Sequence, residues 1–221
     1  TREVDVPAGL HRADQILALA GAAGIDRTDG TYEYFYSDED RERADNILRQ
    51  AGGGIRRTVA LNPGGNWEFK KWAKQAFIEL ARRVLGAYED AEVMITGAEK
   101  DIPAAEEIVS SVGGRRCYSV AGRTGLNELA VLFRESALVV SADSGPLHLA
   151  SATGATTIGL YGPTSVDITG PRGRGRNIVI QKEVGCRIPC YTRDCDKEMA
   201  CMGSITVDEV FSAVSKVLNG E

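Results

Sequence analysis

The stretch ALVVSADSGPLHLASATGATTIGL, residues 137–160, decides how the rest of the chain is read. Its opening run, ALVVS (137–141), is too uniformly apolar for a strand with one wet face, so it reads as a strand buried on both faces. The run stops at Asp143, Ser144 and Gly145. Pro146 then stands where a helix can begin, because the missing N–H of proline costs little in a first turn. Helical spacing runs from 145 to 153, and a second apolar run, TTIGL (156–160), follows. A parallel pair with a right-handed helical crossover accounts for that order.

The same rhythm extends in both directions. Predicted strands are TVALN (58–62), EVMIT (92–96), CYSV (117–120) and NIVIQ (177–181), and predicted helices lie near 72–86, 101–111, 125–135 and 206–218. The expected fold class is α/β, a doubly wound, Rossmann-like parallel sheet covered by helices. Upstream, residues 11–23 have helical spacing and stop near Gly24, and residues 30–37 hold four aromatics. Ser37 begins a capped helix that three glycines end. Residues 1–50 therefore read as the tail of a preceding unit and a hinge, and residues 51–221 as the α/β domain, with a cysteine-rich loop at 186–201.

The chain has 221 residues, 43% hydrophobic and 26% charged, with a formal net charge of −5. That sign argues against a general nucleic-acid binder. No apolar stretch approaches the roughly 20 residues of a membrane span, and no secretory signal pattern opens the sequence. Arg172, Arg174 and Arg176 form a basic cluster that reads as a solvated loop.

Ligands of such sheets bind outside the carboxyl ends of the strands, and five of those ends carry unusual residues. In LNPGGNWEFKKW (61–72), Pro63, Gly64 and Gly65 let backbone approach a ligand, and Lys70 and Lys71 precede a helix, the makings of an anion site. In ITGAEKD (95–101), Glu99 and Asp101 are candidates for ribose hydroxyls, or simply acids at a helix start. AGRTGLNELA (121–130) offers a turn that can wall a base pocket. In the opening stretch, Asp143, Ser144 and Gly145 rim the helix start, and His148 falls one turn later on the same face. GLYGPTSVDITGPRG (159–173) frames Thr164 between two Gly-Pro pairs.

Together with the late cysteines, these stretches resemble the C-terminal half of the heptosyltransferase family of lipopolysaccharide-core glycosyltransferases, from about residue 58 to about 205. The resemblance implies the C-terminal domain of a two-Rossmann-domain (GT-B) enzyme, inverting and needing no metal, that takes a nucleotide-sugar, ADP-heptose first. By similarity, Lys70 would meet the donor diphosphate, Gly64, Gly65 and Asn66 would line its turn, and Asp101 would face the ribose. Thr124 would sit near the base, and Asp143, Ser144, Gly145 and His148 would meet sugar and diphosphate. Asn66 stands where Ser or Thr is frequent in the family, and Ala73 where Pro is common. The family's acceptor site, for a lipid-linked saccharide, and its acidic general base belong to an N-terminal domain of which residues 1–50 resemble only the end. The expectation is a chain that binds nucleotide weakly, transfers nothing alone, and works in the cytoplasm at the inner face of the inner membrane. Other nucleotide-sugar transferases, an epimerase of similar architecture and a non-catalytic nucleotide-sugar-binding module are the competing readings.

Of the five cysteines, Cys117 sits alone in a predicted strand and reads as a small core residue. Cys186, Cys190, Cys195 and Cys201 are separated by three, four and five residues. Four thiolates so spaced could hold structural zinc or an iron–sulfur group, pair as disulfides, or remain free. The cluster reads as a staple for a long loop, not as a catalyst.

Overall fold

In the computed structural model, which describes residues 3–7, 9–25, 29–54, 57–192 and 194–221, the elements follow that alternation. Two helices come first, α1 (Arg12–Ala22) and α2 (Asp38–Gln50). Then come β1 (Arg57–Asn62), α3 (Lys74–Ala87), β2 (Ala91–Ile95), α4 (Ile102–Val112), β3 (Cys117–Ser119) and α5 (Leu126–Glu135). β4 (Leu138–Ala142), α6 (Gly145–Ala152), β5 (Thr157–Tyr161), the short α7 (Val166–Thr169), β6 (Asn177–Gln181), the short α8 (Ala200–Gly203) and α9 (Val207–Leu218) complete the chain. The strands form one parallel sheet in the order β3-β2-β1-β4-β5-β6. This is the doubly wound order, and its direction reverses between β1 and β4, where a crevice opens at the carboxyl edge.

Side chains of a strand alternate between faces. Val59 and Leu61 therefore join Val93, Ile95 and Val140 in a core closed by α3, α4 and α9. Ala60, Met94 and Val139 enter the opposite core, beneath Ala44 of α2, Val131 and Phe133 of α5 and Ala150 of α6. Each fully buried side chain of this size contributes about 1.5–3 kcal/mol against exposure. Cys117 is buried as expected, and burial pushes its thiol up to about 12.

The helix placed near 72 begins instead at Lys74, after a 3₁₀ turn over Glu68–Lys70. Trp72 is the reason. It is a core anchor: its indole N–H donates to the Ile205 carbonyl at 2.8 Å and its ring meets Phe77 edge-on at 5.0 Å. The backbone at Lys71 and Ala73 stays extended to allow it.

The front of the chain is fastened to the sheet. Ser37 caps α2 and Asp40 returns the bond, closing a capping box. α2 lies on α5, with Arg43 on Glu128 at 2.7 Å and Arg41 on Glu135 at 2.8 Å. His11 caps α1 through Nδ1, and its Nε2–H donates to Gly170 O at 2.9 Å. Arg172 grips both oxygens of Asp14 at 2.7 Å, so it is a half-buried clasp on α1, not a solvated loop residue. Asp14 is 158 positions away, so no local pattern around Arg172 marks the pair. Arg174, by contrast, is exposed and pairs with Glu33 at 2.8 Å. Tyr32 bridges to Gly173 beside this clasp.

Candidate functional site

A row of buried polar side chains ties the strand ends together across the switch point. Thr96, after β2, donates to Asn62 Oδ1 at 3.0 Å, and Asn62 Nδ2 donates to Gly64 O at 3.3 Å and to Ser141 Oγ at 3.4 Å. Ser141 Oγ lies 3.1 Å from Ser144 Oγ. The row orients the β1–α3 loop and the β4–α6 turn before any ligand arrives, and a satisfied polar network of this kind is rigid.

Asp143 is the centre of the site. Its carboxylate is 5% exposed, and it accepts from Lys70 Nζ at 2.8 Å and from His148 Nε2 at 3.3 Å. Thr169 Oγ1 reaches it at 3.5 Å from α7, and Tyr161 holds Thr169 in turn, its hydroxyl donating to the Thr169 carbonyl at 2.9 Å. Burial by itself raises a carboxyl pKa, but the hydrogen bonds from His148 and Lys70 and the lysine charge outweigh it. They hold Asp143 well below the usual carboxylate range. Because His148 presents Nε2–H to the carboxylate, its neutral form carries the lone pair on Nδ1. That Nδ1 atom has no hydrogen-bond partner among the described residues, while the buried Thr164 Oγ1 lies beside Asp143 and adds to the interactions that hold its carboxyl down. Buried polar groups are normally paired, so this nitrogen suits a hydroxyl-bearing ligand.

Three hollows share walls along this edge. The central one, about 190 Å³, is lined by Gly64, Gly65, Lys70, Asp143, Ser144 and Gly145. A hollow of about 590 Å³ shares Gly64 with it and includes Asp101. A third, about 630 Å³, shares Gly145 and includes His148, Tyr32 and Leu126. Gly145 opens α6, and Pro146 adds no N–H, so the first-turn dipole meets the central hollow at a glycine.

Among the residues expected from sequence, Lys70, Asp143 and His148 touch, and Gly64, Gly65, Asn66, Ser144 and Gly145 surround them. Asn66 accepts from Lys100. Asp101 packs so closely on Gly64 that a Cβ there would lie 2.6 Å from Asp101 Oδ2, and its carboxylate caps Ala98 N–H at 3.0 Å. Lys71 pairs with Glu68 at 2.8 Å. Glu99 is exposed, and Thr124 stands apart in the turn before α5. Sequence reasoning missed Trp67, Thr169, Tyr161 and Tyr32. Thr169 and Tyr161 flank the Gly-Pro turn already singled out, whereas Tyr32, whose ring meets His148 edge-on at 6.4 Å, had no local signal.

Cys186, Cys190, Cys195 and Cys201 are half-buried free thiols. Among the described residues no three His, Cys, Asp or Glu side chains are grouped to share one metal ion, so the four cysteines as placed do not fit a thiolate cage. The loop instead buttresses the turn after β5: Cys190 N–H donates to Pro163 O at 2.7 Å, and a Cβ on Gly162 would strike Met202 Sδ at 2.5 Å. No helix among the described residues is long and apolar enough to cross a membrane.

The sequence profile of glycosyltransferase family 9 (heptosyltransferase) matches residues 1–200. The lipopolysaccharide core heptosyltransferase OpsX of Haemophilus influenzae is 25% identical over 229 residues, covering 98% of this chain and 63% of that protein. Lipopolysaccharide heptosyltransferase 2 of Salmonella typhimurium is 29% identical over 125 residues, covering 55% of this chain and 35% of that protein. The chain thus spans between about a third and just under two thirds of these relatives' lengths. In fold it is similar to the ADP-heptose LPS heptosyltransferase II of Escherichia coli, with a TM-score of 0.69 at 24% identity, covering 85% of this chain and 54% of that one.

Proposed function

The chain belongs to glycosyltransferase family 9, the heptosyltransferases, and on that premise we propose that it is the donor-binding part of an inverting, metal-independent enzyme. It would move a heptose from ADP-heptose onto lipopolysaccharide core. One observation carries the reading: Lys70 and Asp143 line a hollow floored by Gly64, Gly65 and the head of α6, at the switch point of a doubly wound sheet, and His148, bonded to Asp143, lines the adjoining hollow. The choice of ADP-heptose is supported by the name of the E. coli fold relative.

The three adjoining hollows suggest a polarity for the donor. The nucleoside would lie on the Asp101 side, with Asp101 on the ribose and Thr124 toward the base. The diphosphate would lie in the central hollow, and the sugar beside His148 and Asp143. Transfer breaks the bond between the anomeric carbon and the diphosphate oxygen. Negative charge grows on the departing phosphate, and Lys70, backbone N–H groups at Gly64 and Gly65 and the α6 dipole would meet it. Such preorganised donors are worth about 3–4 kcal/mol each in a catalytic site. His148 Nδ1 and Thr164 Oγ1 would take sugar hydroxyls.

The lipid-linked acceptor and the general base would come from a preceding domain that closes on this one, for which residues 1–50 supply tail and hinge. Transfer would take place in the cytoplasm, at the inner face of the inner membrane. A structural zinc or iron–sulfur group would require the loop to regroup the four cysteines, which as placed do not form a cage, and would lie outside the chemistry. Metal content beside a thiol count, after anaerobic purification, decides it: stoichiometric metal supports it, and four titratable thiols without metal refute it.

Calorimetry with ADP, UDP, GDP and their sugars tests the donor reading. ADP and ADP-heptose should bind this chain, and Lys70→Ala should weaken both at least tenfold. Preference for a different nucleotide would favour another transferase or an epimerase, and no binding of any would refute the reading.

A further inference from the structure

We infer that Trp67 is a positioning residue for Lys70, holding the ammonium where the leaving diphosphate must meet it; the part of this inference that concerns the diphosphate rests on the donor reading above. Trp67 lines the central hollow and is 46% exposed, an unusual position for the largest apolar side chain on the rim of a polar cavity. Nothing in the core requires it there. Its ring is set edge-on to Phe69, with centroids 5.6 Å apart and planes at 81°, and Lys70 Nζ lies 5.3 Å from its centroid.

The arrangement follows from the 3₁₀ turn over Glu68–Lys70, which brings the side chains at 67 and 70 to the same side because that helix repeats every three residues. The π face of indole is negative, so it attracts the ammonium without neutralising it. Asp143, the other partner, does neutralise it. An incoming diphosphate competes with Asp143 for Lys70 but leaves the Trp67 contact untouched. Trp67 therefore keeps the lysine extended into the hollow during the exchange, and shields one flank from water, where the charge is worth more.

Two measurements on the full chain test this. In the ligand-free protein, competitive acetylation read by mass spectrometry should modify Lys70 roughly threefold faster or more in Trp67→Leu, which keeps apolar bulk but loses the π face. Trp67→Phe should return it to near the wild-type rate. Equal rates in all three would overturn the inference. In calorimetry with ADP, Trp67→Leu should weaken binding roughly three- to tenfold, with rescue by Trp67→Phe. The double variant Trp67→Leu/Lys70→Ala should bind no more weakly than Lys70→Ala. A further loss in the double variant would mean that Trp67 acts on the ligand directly, and would also overturn the inference. A wild-type chain that took up no ADP would count against the donor reading, and the acetylation rates would then decide the role of Trp67 alone.

Discussion

Replacing Lys70 by methionine removes the ammonium and keeps most of the stem. The carboxylate of Asp143, 5% exposed, is left with His148 at 3.3 Å, Thr169 at 3.5 Å and the nearby Thr164 hydroxyl. At the 2.8 Å separation of the pair, Coulomb attraction with an effective dielectric near 20 is about 6 kcal/mol. Most of that is offset: the lysine no longer has to be desolvated, and its side chain is 23% exposed. A net loss of roughly 1.5–3 kcal/mol remains, within the range for a hydrogen bond to a buried charge. The assay is urea unfolding at neutral pH of wild type, Lys70→Met, Asp143→Asn and the double variant. If the pair is coupled as the geometry requires, the double variant should lose less than the sum of the singles by roughly 1–2 kcal/mol. Additivity within about 0.5 kcal/mol would refute the reasoning. The cycle also has a pH signature. Because the folded state holds the Asp143 carboxyl below its unfolded value, its contribution is present above about pH 4 and lost as pH falls toward the folded value. Wild type should therefore lose stability relative to Asp143→Asn only below about pH 4, and Lys70→Met should show a smaller loss.

Other expectations follow from the same geometry. Thr164→Val removes a hydroxyl that lies beside the Asp143 carboxylate, so it should cost roughly 0.5–1.5 kcal/mol in urea unfolding of the ligand-free chain and weaken ADP-heptose more than ADP in calorimetry. Gly64→Ala places a Cβ 2.6 Å from Asp101 Oδ2 and should cost roughly 1–3 kcal/mol by urea unfolding while displacing the acid proposed for the ribose. Burial holds the His11 imidazole below its ordinary value, and its neutral form caps α1. The His11 cap on α1 should thus be intact above about pH 6.5 and loosen as pH falls toward the lower folded value, seen as faster amide exchange in α1 that His11→Asn makes pH-independent.

The strands and helices from β1 to α9 were legible because their signals are local. Apolar runs, caps such as Ser37 and Pro146, and glycine turns act through neighbours a few positions away. The edge proposed for the ligand followed from the same alternation, and Asp143 and His148, five residues apart, could be placed together at one strand–helix turn. Lys70 and Asp143 lie 73 residues apart, and their contact exists because β1 and β4 are neighbours at the switch point. Strand order also decides that Arg172 clasps Asp14, that Tyr32 reaches His148, and that the cysteine loop props the turn bearing Thr164. Local free-energy preferences act over one helical turn or one strand and are written in consecutive residues. Contacts between strand ends depend on how the whole sheet closes its two cores, which no window of the sequence contains.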